Sequence, residues 1–138
     1  LAEVFVCQEQ AISGFTYNKS ANKWESRTFQ PSSDFITIRP PMPEDDARTK
    51  PLAAILPAPP YDFVIHKANS PLIFNVCKIS NPNSKIIFCD GTGKFWFNKE
   101  TLRFRHQNLG YYLTGADLGN QEFVPDKGVT IGKCQKIK

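Results

Sequence analysis

Bond-making chemistry in this chain would have to come from two histidines, four cysteines, a run of three carboxylates and one glycine-rich turn. His66 closes the apolar run Phe63-Val64-Ile65, where alternation makes it a rim or core residue rather than a base. His106 sits between Phe104-Arg105 and Gln107-Asn108 and reads as a solvated turn residue. Neither accompanies a Gly-x-Ser-x-Gly nucleophile motif. Glu44-Asp45-Asp46 are consecutive, so their carboxylates do not converge in an extended chain, and no EF-hand spacing surrounds them. Asp90-Gly91-Thr92-Gly93-Lys94 looks like a phosphate loop, but Phe95 stands where a Ser or Thr is needed and a strand follows. It reads as a β-turn. No catalytic residue, metal ligand set or cofactor is expected. A hydrolase with an unrecognised site would need a cleft joining His66 or His106 to a carboxylate within hydrogen-bond reach.

The cysteines carry different chemistry. Cys7, Cys77, Cys89 and Cys134 are too far apart in sequence for a zinc knuckle, and an even number without Cys-x-x-Cys favours disulfides over reduced thiols. Residues 72–80 and 85–89 are apolar runs separated by the turn Asn81-Pro82-Asn83-Ser84. A hairpin folded about Asn83 puts Cys77 opposite Cys89 and Ile79 opposite Ile87, within disulfide reach. Cys7 and Cys134 are then left to pair, which would staple the termini for roughly 4–5 kcal/mol on chain-entropy grounds.

Recognition chemistry is concentrated in Trp96, Arg103, Arg105, Tyr111 and Tyr112. If Phe95 and Phe97 face a core, Trp96 faces outward, and Arg103 and Arg105 share one face of the next strand. Exposed aromatic and guanidinium groups together can stack on rings or hold an acidic partner; they can also simply decorate a sheet by cation–π contact. Charge leans the same way. Residues 1–83 carry eight basic and eight acidic groups, so the net charge of +4 belongs wholly to residues 84–138. That excess favours anionic partners, or merely makes a soluble lysine-rich surface. Nucleic acid is not the expected partner.

The elements that must position these groups are strands. Short aromatic or β-branched runs bounded by Gly, Pro, Asn or Ser cover Glu3–Gln10, Ile12–Tyr17, Trp24–Phe29, Phe35–Arg39, Tyr61–His66, Leu72–Ile79, Lys85–Cys89, Phe95–Phe97, Leu102–Arg105, Tyr111–Thr114 and Val129–Lys136. The pattern predicts one all-β domain over 1–138, an antiparallel barrel or curved sandwich of about 8–10 short strands. Seventeen aromatics, eleven prolines and 41% apolar residues in 138 are an ordinary globular balance with no helical-bundle bias. No run of 18 apolar residues could make a spanning helix.

Residues 40–60 differ in kind, holding seven of the eleven prolines. Helix is expected there only as one short piece within Glu44–Leu56, since Pro51 interrupts it. The apolar island Leu52–Leu56 could offer Leu52, Ile55 and Leu56 to a partner, lie over a barrel mouth as a lid, or tuck into the domain's own core as a plug. Phe15-Thr16-Tyr17-Asn18-Lys19 with Trp24 and Phe29 also echoes Phe95-Trp96-Phe97-Asn98-Lys99 with Leu102 and Phe104 as strand, turn, strand. Asn18-Lys19-Ser20 is a sequon that would matter only in a eukaryotic secretory route.

The order Cys7, Gly14-Phe15-x-Tyr17, Trp24 and Phe29, then Cys89, Gly93-x-Phe95-x-Phe97-Asn98-Lys99-x-Thr101-Leu102-Arg103-Phe104 and Ile131-Gly132-Lys133-Cys134 resembles small exported proteobacterial proteins of unknown function. The resemblance covers both ends and skips the proline-rich middle. It implies export and a β-rich fold and transfers no catalytic residue. Leu1 follows no charged and apolar leader, so an exported chain of this sequence is expected to have shed its signal already. The resulting expectation is a non-enzymatic periplasmic or secreted binding module for a protein partner or a small apolar ligand, the latter held among Phe15, Tyr17, Phe63 and Phe74. The alternative is an anion- or glycan-binding surface built on Trp96, Arg103 and Arg105.

Overall fold

A computed structural model describes residues 3–108 and 123–138. Its strands are β1 (Phe5–Asn18), β2 (Lys23–Phe29), β3 (Ile36–Arg39), β4 (Phe63–Lys67), β5 (Ile73–Cys77), β6 (Ile86–Gly91), β7 (Gly93–Asn98), β8 (Arg103–Gln107) and β9 (Phe123–Lys136). Neighbours are antiparallel throughout, and β1 pairing with β9 closes eight of them, β1-β3-β4-β5-β6-β7-β8-β9, into a barrel. Closure removes the edges that an open antiparallel sheet would leave.

The two runs expected at Glu3–Gln10 and Ile12–Tyr17 are one strand. Nothing between them breaks the backbone; a bulge between Glu9 and Ala11 absorbs the change of phase. One edge of β1 pairs with β9 along its whole length, while the other edge meets β3 at Phe5–Cys7 and β2 at Ile12–Asn18. β1 and β9 therefore run on past the barrel and carry β2 outside it. A second bulge lies between Ser13 and Phe15, where a Cβ on Gly14 would stand 1.9 Å from the Asp126 carbonyl oxygen. Only glycine lets the two backbones approach so closely.

The sequence echo is an echo of turns. Asn18 faces Lys23 across a four-residue loop whose last residue, Asn22, has φ 54°. Asn98 faces Arg103 across another whose last residue, Leu102, has φ 57°. Asn18 Oδ1 accepts the Ala21 N–H, and Asn98 Oδ1 accepts those of Glu100 and Thr101. Shared hairpin chemistry accounts for the likeness.

Alternation sends Phe5, Cys7, Ile36, Ile38, Phe63, Ile65, Cys77, Ile87, Cys89, Phe95, Phe97, Phe104 and Cys134 into one buried core. Phe5 meets Phe97 edge-on at 4.7 Å, and Phe95 stacks on Phe104 at 5.2 Å. Both disulfides lie in this core and join directly opposed residues, Cys77 to Cys89 and Cys7 to Cys134, with Cα atoms 4.1 and 3.8 Å apart. The β5–β6 ladder stops at Cys77, so Ile79 does not pair with Ile87; its N–H donates instead to Asp62 Oδ2. The aromatics expected to line a ligand cavity are dispersed. Phe15 is exposed, Tyr17 packs on Trp24 outside the barrel, and Phe63 and Phe74 sit near opposite ends of it.

The proline-rich segment neither plugs the barrel nor stands free. It forms one helical turn, α1 (Asp45–Thr49), and a 3-10 turn over Lys50–Leu52, then buries Leu56 against Val64, Ile73 and Val76 on the outer wall of β4 and β5, with Leu52 and Tyr61 alongside. The unbroken apolar run Phe63-Val64-Ile65 thus serves both sides of the sheet, Val64 outward and its neighbours inward. A buried ion pair holds the segment down. Arg39 on β3 donates through both terminal nitrogens to Asp45 (2.8 and 2.9 Å), and the Met42 N–H reaches the same carboxylate at 2.7 Å. Burial alone would raise the Asp45 pKa; the bonds from Arg39, Met42 and Arg48 outweigh it and hold the group at about 2.

Candidate ligand-binding face

The outer wall of β6–β9 is made by the parity that fills the core. Ile87 and Cys89, Phe95 and Phe97, and Phe104 point inward, so Phe88, Trp96, Arg103 and Arg105 point outward. Register then aligns them. Phe88 faces Trp96, Trp96 faces Arg105 and Arg105 faces Ile131, giving one unbroken row across four strands. Phe88 and Ile131 are 42% and 47% exposed. The Phe88 and Trp96 rings are 5.5 Å apart, and the Arg105 guanidinium lies 4.5 Å from the Trp96 ring centre. This cation–π contact holds the long Arg105 side chain against the Trp96 ring.

A second row runs beside the first, with Arg103 opposite Lys133. Both are exposed, and neither has an acidic partner among the described residues. On the other side, Lys94 faces Asp90 and bonds it at 2.7 Å, while its ammonium stands 5.5 Å from the Phe88 ring. Among the described residues, the face thus sets Lys94, Arg103, Arg105 and Lys133 against the one carboxylate of Asp90 around an aromatic centre. Its upper rim turns sharply at Gly91-Thr92-Gly93, with φ of 148° at Gly91 and 73° at Gly93. A Cβ there would lie 2.4 Å from the Phe74 carbonyl oxygen or 2.3 Å from that of Gln107. The glycine-rich sequence is a tight hairpin turn, not a phosphate cradle.

Of the residues expected to recognise a ligand, Trp96, Arg103 and Arg105 come together; Tyr111 and Tyr112 lie outside the described residues. Leu52, Ile55 and Leu56 are elsewhere, on the β4–β5 wall, where Leu56 is buried in the chain's own packing and Ile55 is exposed. Phe88, Ile131 and Lys133 were not foreseen. Alternation from Cys89 would have turned Phe88 outward, but nothing local reveals that Ile131 and Lys133 stand beside Arg105 and Arg103.

The histidines have other employment. His66 Nδ1 lies 2.7 and 3.0 Å from the Lys67 and Ser70 carbonyl oxygens, so it carries the proton, and Nε2 accepts from Arg39 Nε at 3.0 Å. It braces the Arg39–Asp45 pair. His106 is not a solvated turn residue: β8 continues to Gln107, which gives His106 the inward parity of Phe104. Its ring lies 5.7 Å from Phe74 and 5.6 Å from Phe95, and Nε2 donates to the Thr92 carbonyl at 2.7 Å. Neither imidazole bonds a carboxylate among the described residues, and no group of three or more metal-ligating side chains converges there.

Burial holds the His106 pKa below the usual histidine value, against the upward pull of the Thr92 bond and Glu9; Lys67 adds to the lowering. Between that lowered value and about 6.5 the unfolded chain binds the more protons, so stability rises with pH. The urea midpoint is therefore expected to be flat above pH 7 and to fall as pH drops below about 6.5. His106→Gln should flatten that fall; an unchanged profile would show that the ring is solvated.

No family model, curated protein or solved structure matches the chain. Among the described residues no helix is long and apolar enough to cross a membrane. The paired cysteines are compatible with an oxidising compartment.

Proposed function

We propose that this chain is a non-enzymatic binding module of the periplasm or the cell exterior whose β6–β9 face holds an acidic glycan. The observation that carries this reading is the row Phe88–Trp96–Arg105–Ile131 flanked by Arg103 and Lys133, which have no acidic partner among the described residues. Flat apolar surface suits the C–H face of a sugar ring, and the cations beside it suit sulfate or carboxylate groups. An apolar ligand is less well served, because rings and disulfides occupy the barrel interior. A protein partner at the Leu52–Leu56 island would find Leu56 already buried. Export rests on the disulfides and on the resemblance to small exported proteobacterial proteins.

The test is calorimetric titration with a sulfated oligosaccharide and its desulfated form. The sulfated form is expected to bind and to weaken between low and moderate salt, since exposed charges are screened within about 8–10 Å. Trp96→Ala should cost about tenfold in affinity, the equivalent of roughly 1.4 kcal/mol. Arg103→Gln should weaken the sulfated ligand and flatten its salt dependence. Equal affinity for both forms, or binding indifferent to salt, would refute the reading.

A further inference from the structure

β8 and β9 set two cations against each other. Arg103 lies directly opposite Lys133, and the Cys134 N–H donates to the Leu102 carbonyl at 2.7 Å. A bond between those flanking residues makes Arg103–Lys133 a non-hydrogen-bonded pair, where opposed side chains of an antiparallel ladder stand closest. Like charges placed so are destabilising. Among the described ladders this is the one opposed pair of like charge; Asp90 and Lys94, opposed on β6 and β7, have opposite signs. Neither cation has an acidic partner among the described residues. A slip of register that would part them is blocked, because Cys134 is bonded to Cys7 and Phe104 is stacked on Phe95 in the core.

What flanks the pair adds donors and no negative charge. Asn98 faces Arg103 from β7, and Gln8 faces Lys133 from β1. Asn98 Oδ1 is occupied by the Glu100 and Thr101 N–H groups, which leaves its amide N–H groups to give. Arg105 stands two residues along β8, about 7 Å away, beside Trp96.

We propose that Arg103 and Lys133 form a subsite for a dianion, the phosphate monoester of a sugar seated on Trp96. The inference rests on the glycan reading of this face and narrows its ligand. A sulfate ester or a carboxylate brings one negative charge and leaves one cation of the pair unmatched. A phosphate monoester brings about −1.5 to −2 at pH 7, with a second pKa of about 6, and three acceptor oxygens. The Arg103 fork can take two of those oxygens while Lys133 acts as a point charge. The repulsion within the pair then becomes attraction for the ligand.

Calorimetric titration of the full chain with three glucose oligosaccharides, identical except for one 6-phosphate, one 6-sulfate or neither, tests it. At about pH 7.5 the phosphate form is expected to bind at least about tenfold more tightly than the sulfate form. At about pH 5 it carries a single charge, and that advantage should shrink to about twofold or less. Guanidinium and ammonium groups keep their charge across this range, and the sulfate form reports any titration of the protein itself. Lys133→Gln should reduce the preference to about twofold or less at both pH values. Without ligand, Lys133→Glu sets a carboxylate opposite Arg103 and should raise the urea midpoint at low salt. Equal affinity for the phosphate and sulfate forms, both above the neutral form, would overturn the dianion subsite and leave the glycan reading standing. Charged forms that bind no better than the neutral one would overturn both. A urea midpoint unchanged or lowered by Lys133→Glu would show that the pair holds no repulsion and would overturn the subsite.

Discussion

Replacing Cys7 and Cys134 by alanine is expected to lower the stability of the folded chain by about 5 kcal/mol. The bridge spans 127 residues, and chain-entropy cost grows with the logarithm of that length. It also joins β1 to β9, the seam at which the first and last strands shut the barrel. A domain of this kind has roughly 5–15 kcal/mol in all, so the loss threatens the fold itself. The Cys77–Cys89 bridge closes a loop of only 12 residues, and replacing both cysteines by alanine is expected to cost about 3 kcal/mol. Urea unfolding of the two paired variants measures both. A larger cost for the shorter loop would mean that local packing, not closure of the chain, dominates the contribution of these bridges.

Asp45→Ala is the second large effect, expected at about 3 kcal/mol. Removing the carboxylate leaves Arg39, whose side chain is only 12% exposed, without its counter-charge. The consequence should be local before it is global: α1 loses its anchor, Leu56 loses its hold on the β4–β5 wall, and residues 40–60 become open to proteases. The pair also has a pH signature. With the folded pKa near 2 and the ordinary value at 3.8, the stabilisation is fully present above about pH 4 and is lost as pH falls from there towards 2. The amount involved is about 2 kcal/mol. Asp45→Asn should lack that acid-side loss. A wild type and an Asp45→Asn variant with parallel acid unfolding would contradict the clamp.

The readings that the structure bears out came from local chemistry. Cys77 opposite Cys89 followed from a turn, Asn81 to Ser84, that sets the register of the strands on either side of it. Cys7 with Cys134 followed by elimination, as a staple joining the two ends of the chain. The outward turn of Trp96, Arg103 and Arg105 followed from parity alone. What escaped depended on pairing between distant segments. Ile131 and Lys133 join the face only because β8 pairs with β9 in one register, and a shift by one residue would have turned both inward. His106 was misplaced because β8 runs two residues further than its apolar pattern suggests. The docking of Leu56 on the outer wall was signalled in principle by three consecutive apolar residues at 63–65, which an uncovered barrel wall would not tolerate.

The most direct test of the β6–β9 face as a binding surface is a residue-resolved NMR titration of the folded chain with a short sulfated oligosaccharide. Saturable shifts are predicted at the amides of Phe88, Trp96, Arg103, Arg105, Ile131 and Lys133, and at the Trp96 indole N–H. The β4–β5 wall around Val64 and Val76 should stay unmoved. Shifts confined to other surfaces, or none that saturate at low salt, would contradict the account.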